Sequence, residues 1–541
     1  MCGIYGYVIK YPAQDTAVPA ADELVEGLRR VAYRGYDSAG IVVPHNGQLV
    51  VIKRAGKLEN LIAALDGHPY GEAMSGIGHT RWATHGKPTD ANSHPHTSCR
   101  QHVAVVHNGI ISNHNALRTM LEGRQHVFRS ETDTETLAHL IGEYLNGDPV
   151  EAVRTALSEV EGTYAMAVIF RDYPGTIVFA KNGKCPLLLG IGDDAFFVAS
   201  DAASFRRHTD QYIPIEDGQI GFISPDSYQI TDMNKVPVSA KVETIEWQLS
   251  QIEKGGELHF MLAEIKGQPQ SLADAIAGRL LEDDSVKFGG LEDQRLLLQT
   301  ATEIVLTAAG TSFNAALYGE ILLEEIAGIT TRCKNASELA TREHLCFAPG
   351  TIAWAISQSG ETADLLHALG TLRRLEVPTF GLVNVVGSTI ARETLAGTYL
   401  HVGPEIGVAS TKAYTGQGIL FNLLALYLRQ LRQRPREPWM DRYVQQLRQI
   451  PDLVGRIIAE QSDRIRQLAE KYAGCSSIYF LGKGVNLPTA LEGALKLKEV
   501  SYIHAEGYPA GELKHGPLAL LTDDFPSLFI VPRQDHWYDK V

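Results

Sequence analysis

The sequence predicts an α+β region with antiparallel sheets, followed by an α/β region with parallel sheets. Up to about residue 222, short β runs such as 48–53 and 103–106 are separated by turn signals and flanked by helical stretches. From Thr302 onward, β runs alternate with long helical periods. This alternation indicates parallel sheets that are covered by helices on both faces.

Length and composition indicate two or three packed domains. The chain has 541 residues, of which 44% are hydrophobic and 21% are charged, more than one ordinary domain holds. Its formal net charge of -14 opposes the phosphate neutralisation that nucleic-acid binding requires. The apolar stretch 418–428 is shorter than the roughly 18 residues of a membrane span and is typical of a buried helix. We therefore expect neither a nucleic-acid partner nor a membrane partner.

The amino terminus and the cysteines favour a cytoplasmic protein. The first residues, MCGIYGYVIK, lack the basic region, apolar core and cleavage site of a secretory signal. The cysteines are scattered without a CxxC pair, which argues against both a disulfide framework and a zinc knuckle. Their positions are Cys2, Cys99, Cys185, Cys333, Cys346 and Cys475.

The β rhythm is lost between the two regions. Polar turns, a Gly-Gly pair at 255–256 and an acidic run at 282–284 interrupt it, and we expect a linker with some helix there. The predicted domains are 1–223, a linker 224–294, a first α/β half 295–433 and a second α/β half 440–541.

An internal repeat relates the two α/β halves. The β run 304–307 aligns with 478–481, and each run is followed by a glycine and then a helix. The Glu-Leu pair at 338–339 follows Gly310 at the same separation as the Glu-Leu pair at 512–513 follows Gly484. The two halves are therefore predicted to share one strand order.

The two copies differ in length after their third strand. The first copy continues from Ser357 to Arg432, whereas the second ends at Val541, shortly after the equivalent position Pro532. If the copies are of equal length, roughly 66 residues of counterpart are absent. An α/β half without its later strands would have an unpaired edge, so we expect the sequence to be truncated at its C-terminus.

Cys2 is a candidate nucleophile. It follows the initiator methionine, whose removal would leave a thiol and a free α-amino group on one residue. An α-amine has a pKa of about 8 and can accept the thiol proton near neutral pH. A cysteine at the second position occurs more often by chance than for catalysis, so this interpretation depends on the motifs that follow.

Four further motifs follow CGIYG in order: YRGYDSAG at 33–40, HTRWATHG at 79–86, HNG at 107–109 and ETDTE at 131–135. Together the five motifs resemble the class II glutamine amidotransferases across the whole first domain. The resemblance implies a four-layer αββα N-terminal-nucleophile fold. It also implies hydrolysis of glutamine to glutamate and ammonia.

The resemblance assigns roles to individual positions. Cys2 would attack the glutamine amide, and Asn108 with the backbone NH of Gly109 would hold the oxyanion. Arg81 and Asp133 would clamp the α-carboxylate and the α-ammonium group of glutamine, although either residue alone is more typical of a surface ion pair. The same motif contributes the other glutamine-binding positions, Trp82, Thr84 and His85, of which Trp82 resembles the family's ammonia-channel gate.

Histidines are concentrated near these motifs, at His94, His96, His102 and His107. A His-x-His pair can bind metal, but no carboxylate or thiol lies beside these residues at helical ligand spacing. Histidines in turns and cores are the more common outcome. We therefore predict no metal site and no cofactor.

A second candidate site follows the strands of the α/β region. The run SQSGET at 357–362 comes directly after a β run and opens a helical period. Hydroxyl groups, backbone NH groups and a helix dipole at such a position bind phosphate, although the same letters also fit a plain helix cap. The candidate phosphate ligands are Ser312 and the hydroxyl residues Ser357, Ser359 and Thr362.

Five motifs decide between these alternatives, because GTS, SQSGET, EIGVASTKA, ALEGALKLKE and GELKHGP together resemble paired sugar isomerase (SIS) domains. The resemblance is to a family of glutamine-dependent aminotransferases, which implies flavodoxin-like SIS domains, fructose 6-phosphate as acceptor and glucosamine 6-phosphate as product. It implies that the phosphate ligands bind a sugar phosphate and that Gln358 and Val408, which lie in matched motifs, join them. Glu499 would move a proton between C1 and C2, with Lys496 nearby on the same helix face. His515, contributed by the neighbouring subunit, would open the sugar ring, which implies a homodimer or larger homo-oligomer.

Two alternatives differ from this interpretation. The motif YRGYDS and the duplicated SIS pattern disfavour another class II amidotransferase, such as one acting on phosphoribosyl pyrophosphate. The presence of Cys2, Glu499 and His515 disfavours a regulatory protein that only senses sugar phosphates. The family also uses a lysine from a C-terminal tail, and without that tail the chain as given is expected to keep glutaminase activity more readily than synthase activity.

Overall fold

The computed structural model describes residues 2–10, 20–32, 35–65, 73–81, 87–183, 185–245, 256–342, 344–522 and 524–533. The chain folds into two compact units, Met1–Leu249 and Ser250–Val541. Every helix in the described ranges is too short or too polar to cross a lipid bilayer.

Two antiparallel sheets form the centre of the first unit. Among the described residues, their strands are β1 (Gly3–Ile9), β2 (Ser38–His45), β3 (Gln48–Ala55), β4 (Ser75–Arg81), β5 (His96–Thr97), β6 (Val103–Ile111), β7 (Gly162–Phe170), β8 (Ile177–Asn182), β9 (Leu188–Ile191), β10 (Ala195–Ala199), β11 (Gln211–Pro214), β12 (Gln219–Ile223), β13 (Tyr228–Asp232) and β14 (Glu243–Thr244). The larger sheet has the order β14-β11-β9-β10-β1-β4-β2-β3, and the smaller sheet has the order β13-β12-β8-β7-β6-β5.

Helices cover the outer face of each sheet. An apolar core that includes Ile4 and Val106 fills the space between the two sheets, and two further cores lie between the sheets and the helices. The layers therefore follow the order αββα, which confirms the predicted N-terminal-nucleophile fold. The helices are α1 (Ala20–Arg29) and α2 (Leu58–Leu65) on the larger sheet, and α3 (His114–Gly123), α4 (Asp133–Tyr144) and α5 (Pro149–Ser158) on the smaller one.

Strand β7 shows why this fold could be predicted from the sequence. Its residues GTYAMAVIF form a nearly continuous apolar run. Ala167 and Ile169 pack in the core between the sheets, whereas Val168 and Phe170 pack against the helical layer. Alternate side chains of a strand point to opposite faces, so a strand buried on both faces needs apolar residues at every position.

The first unit extends further than the predicted boundary at residue 223. Strand β13 pairs with β12, and β14 pairs with β11, so both sheets continue into the segment predicted as a linker. Both strands lie at sheet edges, where short polar sequences are tolerated. This is why the polar segment gave no strand signal.

The second unit alternates strands and helices. In its described part the helices are α6 (Phe260–Lys266), α7 (Gln268–Ile276), α8 (Arg295–Thr300), α9 (Gly310–Leu322), α10 (Ala336–Ala340), α11 (Ala363–Arg374), α12 (Thr389–Glu393), α13 (Lys412–Leu431), α14 (Pro438–Tyr472) and α15 (Asn486–Ser501). The strands are β15 (Glu303–Ala308), β16 (Thr330–Asn335), β17 (Thr351–Ser357), β18 (Thr379–Val383), β19 (Ala396–Tyr399), β20 (Ser477–Gly482), β21 (His504–Pro509) and β22 (Ser527–Phe529).

The first α/β half has a parallel sheet of order β16-β15-β17-β18-β19 in the described residues. This order, 2-1-3-4-5 along the chain, is that of flavodoxin-like folds. Trp354 and Phe380 pack with Leu420 of α13 on one face, and Ala353 packs with Leu369 of α11 on the other. The sheet is therefore covered on both faces, and the apolar stretch 418–428 lies within the buried part of α13.

The second half repeats the first three strands. Its described strands have the order β21-β20-β22, which matches β16-β15-β17. Glu303 pairs with Thr330, and Ser477 pairs with His504, so the paired residues have the same separation in sequence in both copies. The structure therefore confirms that the two halves share strand order and register.

Candidate functional site

The candidate nucleophile lies where the two sheets of the first unit meet. Cys2 directly precedes β1, whose residue Gly3 pairs with Thr80 of β4, and its side chain is partly buried. Asn108, on β6 of the other sheet, donates a hydrogen bond from Nδ2 to the main-chain oxygen of Cys2 at 3.0 Å. Two residues that are far apart in sequence are thus brought into direct contact.

The Asn108 side chain makes further hydrogen bonds. Its Oδ1 lies 2.9 Å from Nε2 of His79, and its Nδ2 also donates to Oγ of Ser200 at 3.0 Å. The Ser200 hydroxyl in turn accepts a hydrogen bond from the backbone NH of Ile4 at 3.0 Å. Both amide hydrogens of Asn108 are therefore engaged, and binding an oxyanion would require the release of one partner. Sequence reasoning missed Ser200, because no motif surrounds it.

Gly109 has a backbone conformation that requires glycine. Its φ is +138°, and a Cβ built at this position would lie 2.0 Å from the main-chain oxygen of Thr163 and 2.9 Å from Nε2 of His107. The obstacle is backbone of the adjacent strand β7, which cannot move aside without breaking the sheet. The third residue of the HNG motif is therefore fixed by geometry, whatever its chemical role.

We expect Gly109→Ala to lower the free energy of unfolding of the first unit by more than about 2 kcal/mol, because both strain and overlap are imposed. A urea titration followed by circular dichroism would show an earlier first transition. Gly123→Ala is the matched control, since a Cβ at Gly123 meets nothing within 4 Å and alanine is favoured in helices. Equal urea midpoints for the two variants would contradict the conclusion that the backbone at position 109 requires glycine.

The two predicted clamp residues are buried close to Cys2. Arg81 ends β4, and Asp133 begins α4; each is less than one-tenth exposed. Burial lowers the pKa of Arg81, while the charges of Cys2, Asp133 and Asp37 act in the opposite direction. The Oδ2 atom of Asp133 accepts a hydrogen bond from the backbone NH of Ile111 at 2.9 Å. The structure thus gathers Cys2, Arg81, Asn108 and Asp133 at one place.

The remaining residues predicted for the glutamine site, Trp82, Thr84 and His85, lie outside the described residues.

A group of buried histidines packs beneath this site. The rings of His79 and His94 stack at 4.3 Å, and His96 meets His94 edge-on at 4.9 Å. His107 bonds the Thr134 hydroxyl through Nδ1 at 2.9 Å. Burial lowers the pKa of all four rings, that of His79 to about 3. They are therefore neutral at physiological pH and act as core residues.

This burial predicts a pH-dependent stability of the first unit. A histidine whose folded pKa is depressed stabilises the fold above its unfolded pKa, near 6.5, and loses that contribution as the pH falls towards the folded value. His79, His94 and His96 have folded values well below this range. Each of these histidines should lower the free energy of unfolding by about 1 kcal/mol as the pH falls from 6.5 to 5.5. This pH range lies above that in which carboxylates titrate.

Hydrogen exchange of the β4 and β6 amides, corrected for the intrinsic pH dependence of exchange, would measure this loss in the full chain. Protection that stays constant between pH 6.5 and 5.5 would mean that the rings take up protons equally in the folded and unfolded states, so that burial does not lower their pKa.

A second group of predicted residues lies at the carboxyl edge of the parallel sheet. The backbone NH of Gly360 donates to Oγ of Ser357 at 3.0 Å, and the Ser357 and Thr362 hydroxyls lie 3.0 Å apart. The NH of Glu361 donates to Oγ of Ser359 at 3.2 Å. These bonds curl the chain from the end of β17 into the first turn of α11, where the backbone NH groups and the helix dipole favour an anion.

Ser312 reaches the same edge from the neighbouring strand. It lies in the first turn of α9, directly after β15, and β15 and β17 are adjacent parallel strands. Its hydroxyl accepts a hydrogen bond from Nε2 of Gln417 at 2.9 Å. Gln417 lies on α13 and is fully buried, so it fixes the orientation of Ser312. Sequence reasoning did not identify Gln417.

Gln358 and Val408 lie on loops that hydrogen bonds tie together. The backbone NH of Asn384 donates to the main-chain oxygen of Gln358 at 3.1 Å, and the Asn384 side chain donates to the main-chain oxygen of Gly403 at 2.8 Å. Gly403 and Val408 share the loop after β19, and the Val408 side chain is 70% exposed. The loops that carry the predicted sugar-phosphate ligands therefore share one edge of the sheet.

Helix α15 carries the predicted proton-transfer residues. The Nζ atom of Lys496 lies 2.5 Å from Oε2 of Glu499 and 3.3 Å from Oε1 of Glu492. The same Nζ donates to the hydroxyl of Thr311 at 3.1 Å, next to Ser312. The structure therefore brings Lys496 and Glu499 to the amino-terminal end of α9, close to the candidate phosphate ligands.

Glu492 is the residue that docks α15 on α9, and sequence reasoning missed it. Its carboxylate accepts hydrogen bonds from Oγ1 of Thr311 at 2.9 Å and from Nδ2 of Asn314 at 2.8 Å. Burial raises the pKa of Glu492, while the bond from Asn314 and the charge of Lys496 oppose that shift. Its i,i+4 relation to Lys496 was the available signal, since residues so spaced share a helix face.

His515 lies at the end of a short 3-10 helix, Ala510–His515, that follows β21. Its side chain is exposed. Its role at the sugar site, and its contribution from a neighbouring subunit, stay predictions.

Comparison with protein families finds matches in both units. A glutamine amidotransferase domain matches residues 79–207, and an SIS domain matches residues 297–427 and again 471–540. The matched ranges contain most of the residues described above.

Comparison with individual proteins covers the whole chain. The chain is 44% identical to the glutamine–fructose-6-phosphate aminotransferase (isomerizing) of Chlorobaculum tepidum, over 100% of this chain and 87% of that protein. It is 43% identical to the enzyme of the same name from Aquifex aeolicus, with the same coverage.

A solved structure is also similar to the second unit. The C-terminal domain of glucosamine-fructose-6-phosphate aminotransferase from Francisella tularensis is 36% identical, with a TM-score of 0.50, and the match covers 53% of this chain and 80% of that one. The sequence identity along the full length of the chain and the two matched domains lead to one conclusion: the chain belongs to the glutamine–fructose-6-phosphate aminotransferase (isomerizing) family.

Proposed function

We propose that this chain transfers ammonia from L-glutamine to D-fructose 6-phosphate and isomerises the product to D-glucosamine 6-phosphate, releasing L-glutamate. This reaction commits fructose 6-phosphate to amino-sugar synthesis. The observation that carries the proposal is the contact between Asn108 and Cys2 at 3.0 Å, with Arg81 and Asp133 beside them. These residues come from separate motifs, and the fold brings them to one place.

In the glutaminase half, the Cys2 thiolate attacks the amide carbon of glutamine, and its own α-amine accepts the thiol proton. The tetrahedral oxyanion accepts hydrogen bonds from Nδ2 of Asn108 and from the backbone NH of Gly109. Without substrate, Nδ2 of Asn108 donates to the main-chain oxygen of Cys2 instead. Ammonia leaves with a proton from the α-ammonium group. Water then hydrolyses the thioester to glutamate.

In the sugar half, the phosphate of fructose 6-phosphate binds at the edge formed by Ser312, Ser357 and Thr362. Ammonia condenses with the C2 carbonyl of the open-chain sugar, and water leaves. The Glu499 carboxylate takes a proton from C1 and returns it to C2. The C1 hydroxyl proton passes to the imine nitrogen, so the ketose imine becomes the aldose amine. Lys496 orients the Glu499 carboxylate through the 2.5 Å contact between Nζ and Oε2.

The test is a parallel assay on the full chain, with glutamine and fructose 6-phosphate supplied together. Glutamate and glucosamine 6-phosphate are measured in the same sample by chromatography. Equal amounts of the two products support the whole reaction. Glutamate without aminosugar supports the glutaminase half alone, and release of neither product refutes the proposal.

The proposal includes a homo-oligomer in the cytoplasm, as the family resemblance implies. The exposed position of His515 agrees with a role at a neighbouring subunit's site. Mixing two inactive variants, His515→Asn and Glu499→Gln, should restore part of the aminosugar activity, because a mixed dimer contains one site with both intact residues. Sedimentation of the chain as a monomer, together with no recovery of activity on mixing the two variants, would contradict the proposed homo-oligomer.

A further inference from the structure

A thiol and two imidazoles of the first unit lie close together, and none of the three is assigned to glutamine binding. Cys99 lies in the turn between β5 and β6, His126 follows α3, and His139 lies in the middle of α4. One ligand atom from each residue lies within 4.8 Å of the other two. Three elements that are distant in sequence therefore present metal-binding atoms to one point.

The spacing suits tetrahedral coordination. With Zn–S near 2.3 Å and Zn–N near 2.0–2.1 Å, the sulfur and a nitrogen of a tetrahedral zinc site lie about 3.5 Å apart. The Sγ atom of Cys99 lies 3.5 Å from Nδ1 of His139. His126 needs only a small ring movement to complete three ligands, since its atom already lies within the 4.8 Å cluster.

The outer nitrogens of both histidines face carboxylates. Nε2 of His126 lies 3.0 Å from Oε2 of Glu143, within hydrogen-bond distance. Nε2 of His139 lies 3.6 Å from Oε1 of Glu135, too far for a hydrogen bond, and it has no hydrogen-bond partner among the described residues. Metal-binding histidines usually give their second ring nitrogen to a carboxylate, which fixes the ring and makes the coordinating nitrogen a better donor. Nδ1 of His139 lies 3.5 Å from the Cys99 sulfur, and a ligand atom of His126 lies within 4.8 Å of both.

A plain hydrogen-bonded thiol explains less of the geometry. Cys99 does accept a hydrogen bond from the backbone NH of Val127 at 3.2 Å, and its contact with His139 could be a thiol–imidazole bond. Nδ1 of His126, however, is buried and has no hydrogen-bond partner among the described residues. A buried polar atom without a partner costs free energy, and a metal ion at the centre of the cluster would satisfy it.

We propose that Cys99, His126 and His139 bind a Zn²⁺ ion, with a solvent molecule as the fourth ligand. Thiolate and imidazole ligands select zinc over the oxygen-preferring Mg²⁺ and Ca²⁺. Cys99 is exposed whereas His139 is buried, so the site opens to solvent on the thiol side. That opening provides both an entry path and room for the fourth ligand.

A bound ion would stabilise the position of α4, the helix that begins with Asp133. Glu135, which faces His139, also accepts hydrogen bonds from the backbone NH groups of Arg129 and Ser130 at 2.8 and 2.7 Å. The ion therefore connects the turn after β5, the segment before α4 and α4 itself. Its role in this position is structural, and it takes no part in the reaction proposed above.

The first test is the metal content of the full chain, purified after growth with added zinc and measured by mass spectrometry. We expect one zinc ion per chain, and less than about one-tenth of that in Cys99→Ser and His126→Gln. Cys346→Ser is the matched control, because Cys346 is also exposed but lies in the second unit. A wild-type chain without zinc, or variants with full zinc content, would overturn the proposal.

The second test replaces zinc with Co²⁺ and records the absorption spectrum. Thiolate coordination gives a charge-transfer band that should be present in the wild type and in Cys346→Ser and absent in Cys99→Ser. Zinc should also raise the melting temperature of the wild type, because an ion that binds only the folded state stabilises it. No band and no change in melting temperature on adding metal would refute the site. These readouts do not depend on enzyme activity, so the proposed reaction can fail without affecting them.

Discussion

Replacing Cys2 with alanine is expected to lower glutamate release from glutamine by at least about 10⁴-fold, because a covalent mechanism has no substitute for its nucleophile. The fold should be unaffected. Asn108 bonds the main-chain oxygen of Cys2 at 3.0 Å, and the main chain is the same in alanine. Initial rates of glutamate formation at saturating glutamine would measure the loss, with circular dichroism to verify folding.

Cys346→Ala is the control for cysteine loss in general, since Cys346 is exposed in the second unit. It should keep the wild-type rate. Unchanged glutamate release from Cys2→Ala would contradict the proposed glutaminase mechanism, because no other residue is assigned as nucleophile.

A second variant separates the thiol from the α-amine. A chain that keeps an uncleaved residue in front of Cys2 retains the thiol but has no free α-amine on that residue. If the α-amine is the general base, its loss should cost about 10²–10⁴-fold. A full rate in the blocked chain would assign proton transfer to another group while leaving Cys2 as nucleophile.

The layered fold could be predicted because its strands carry strong local signals. The run GTYAMAVIF is apolar on both faces, and the repeated pattern of strand, glycine and helix predicted that the two α/β halves are in register. The edge strands β13 and β14 were missed for the opposite reason. They are short and polar, and only their pairing with strands earlier in the chain makes them part of a sheet.

The sites were predictable only where residues stand in motifs. Cys2, Arg81, Asn108 and Asp133 belong to ordered motifs, and the structure gathers them. Ser200 and Gln417 form hydrogen bonds to site residues 92 and 105 positions away, and such pairings follow no regular spacing in the sequence.

The cluster of Cys99, His126 and His139 shows the same limit. The sequence predicts no metal site at the nearby His-x-His pair, because no carboxylate or thiol lies beside it at helical ligand spacing. The atoms that do converge come from a turn, a loop and a helix, and no regular spacing relates them.

Glu499→Gln is expected to lower glucosamine 6-phosphate formation by about 10²–10⁴-fold, because glutamine cannot accept the C1 proton. The helix should remain docked, since Lys496 keeps its 3.3 Å contact with Glu492 and Glu492 keeps its bonds to α9. Glutamate release should continue, because the residues assigned to it lie in the other unit. The parallel assay of both products would measure this separation directly.

The exposed Glu470 on α14 provides the matched control, because Glu470→Gln makes the same chemical change on a helix surface. It should leave both products at the wild-type rate. A merely structural role for Glu499 would lower the melting temperature and raise KM for fructose 6-phosphate, whereas a proton-transfer role lowers kcat and leaves the melting temperature unchanged. Full aminosugar formation by Glu499→Gln would therefore exclude it as the base, and the buried Glu492, whose pKa is raised by desolvation, would become the carboxylate to test next.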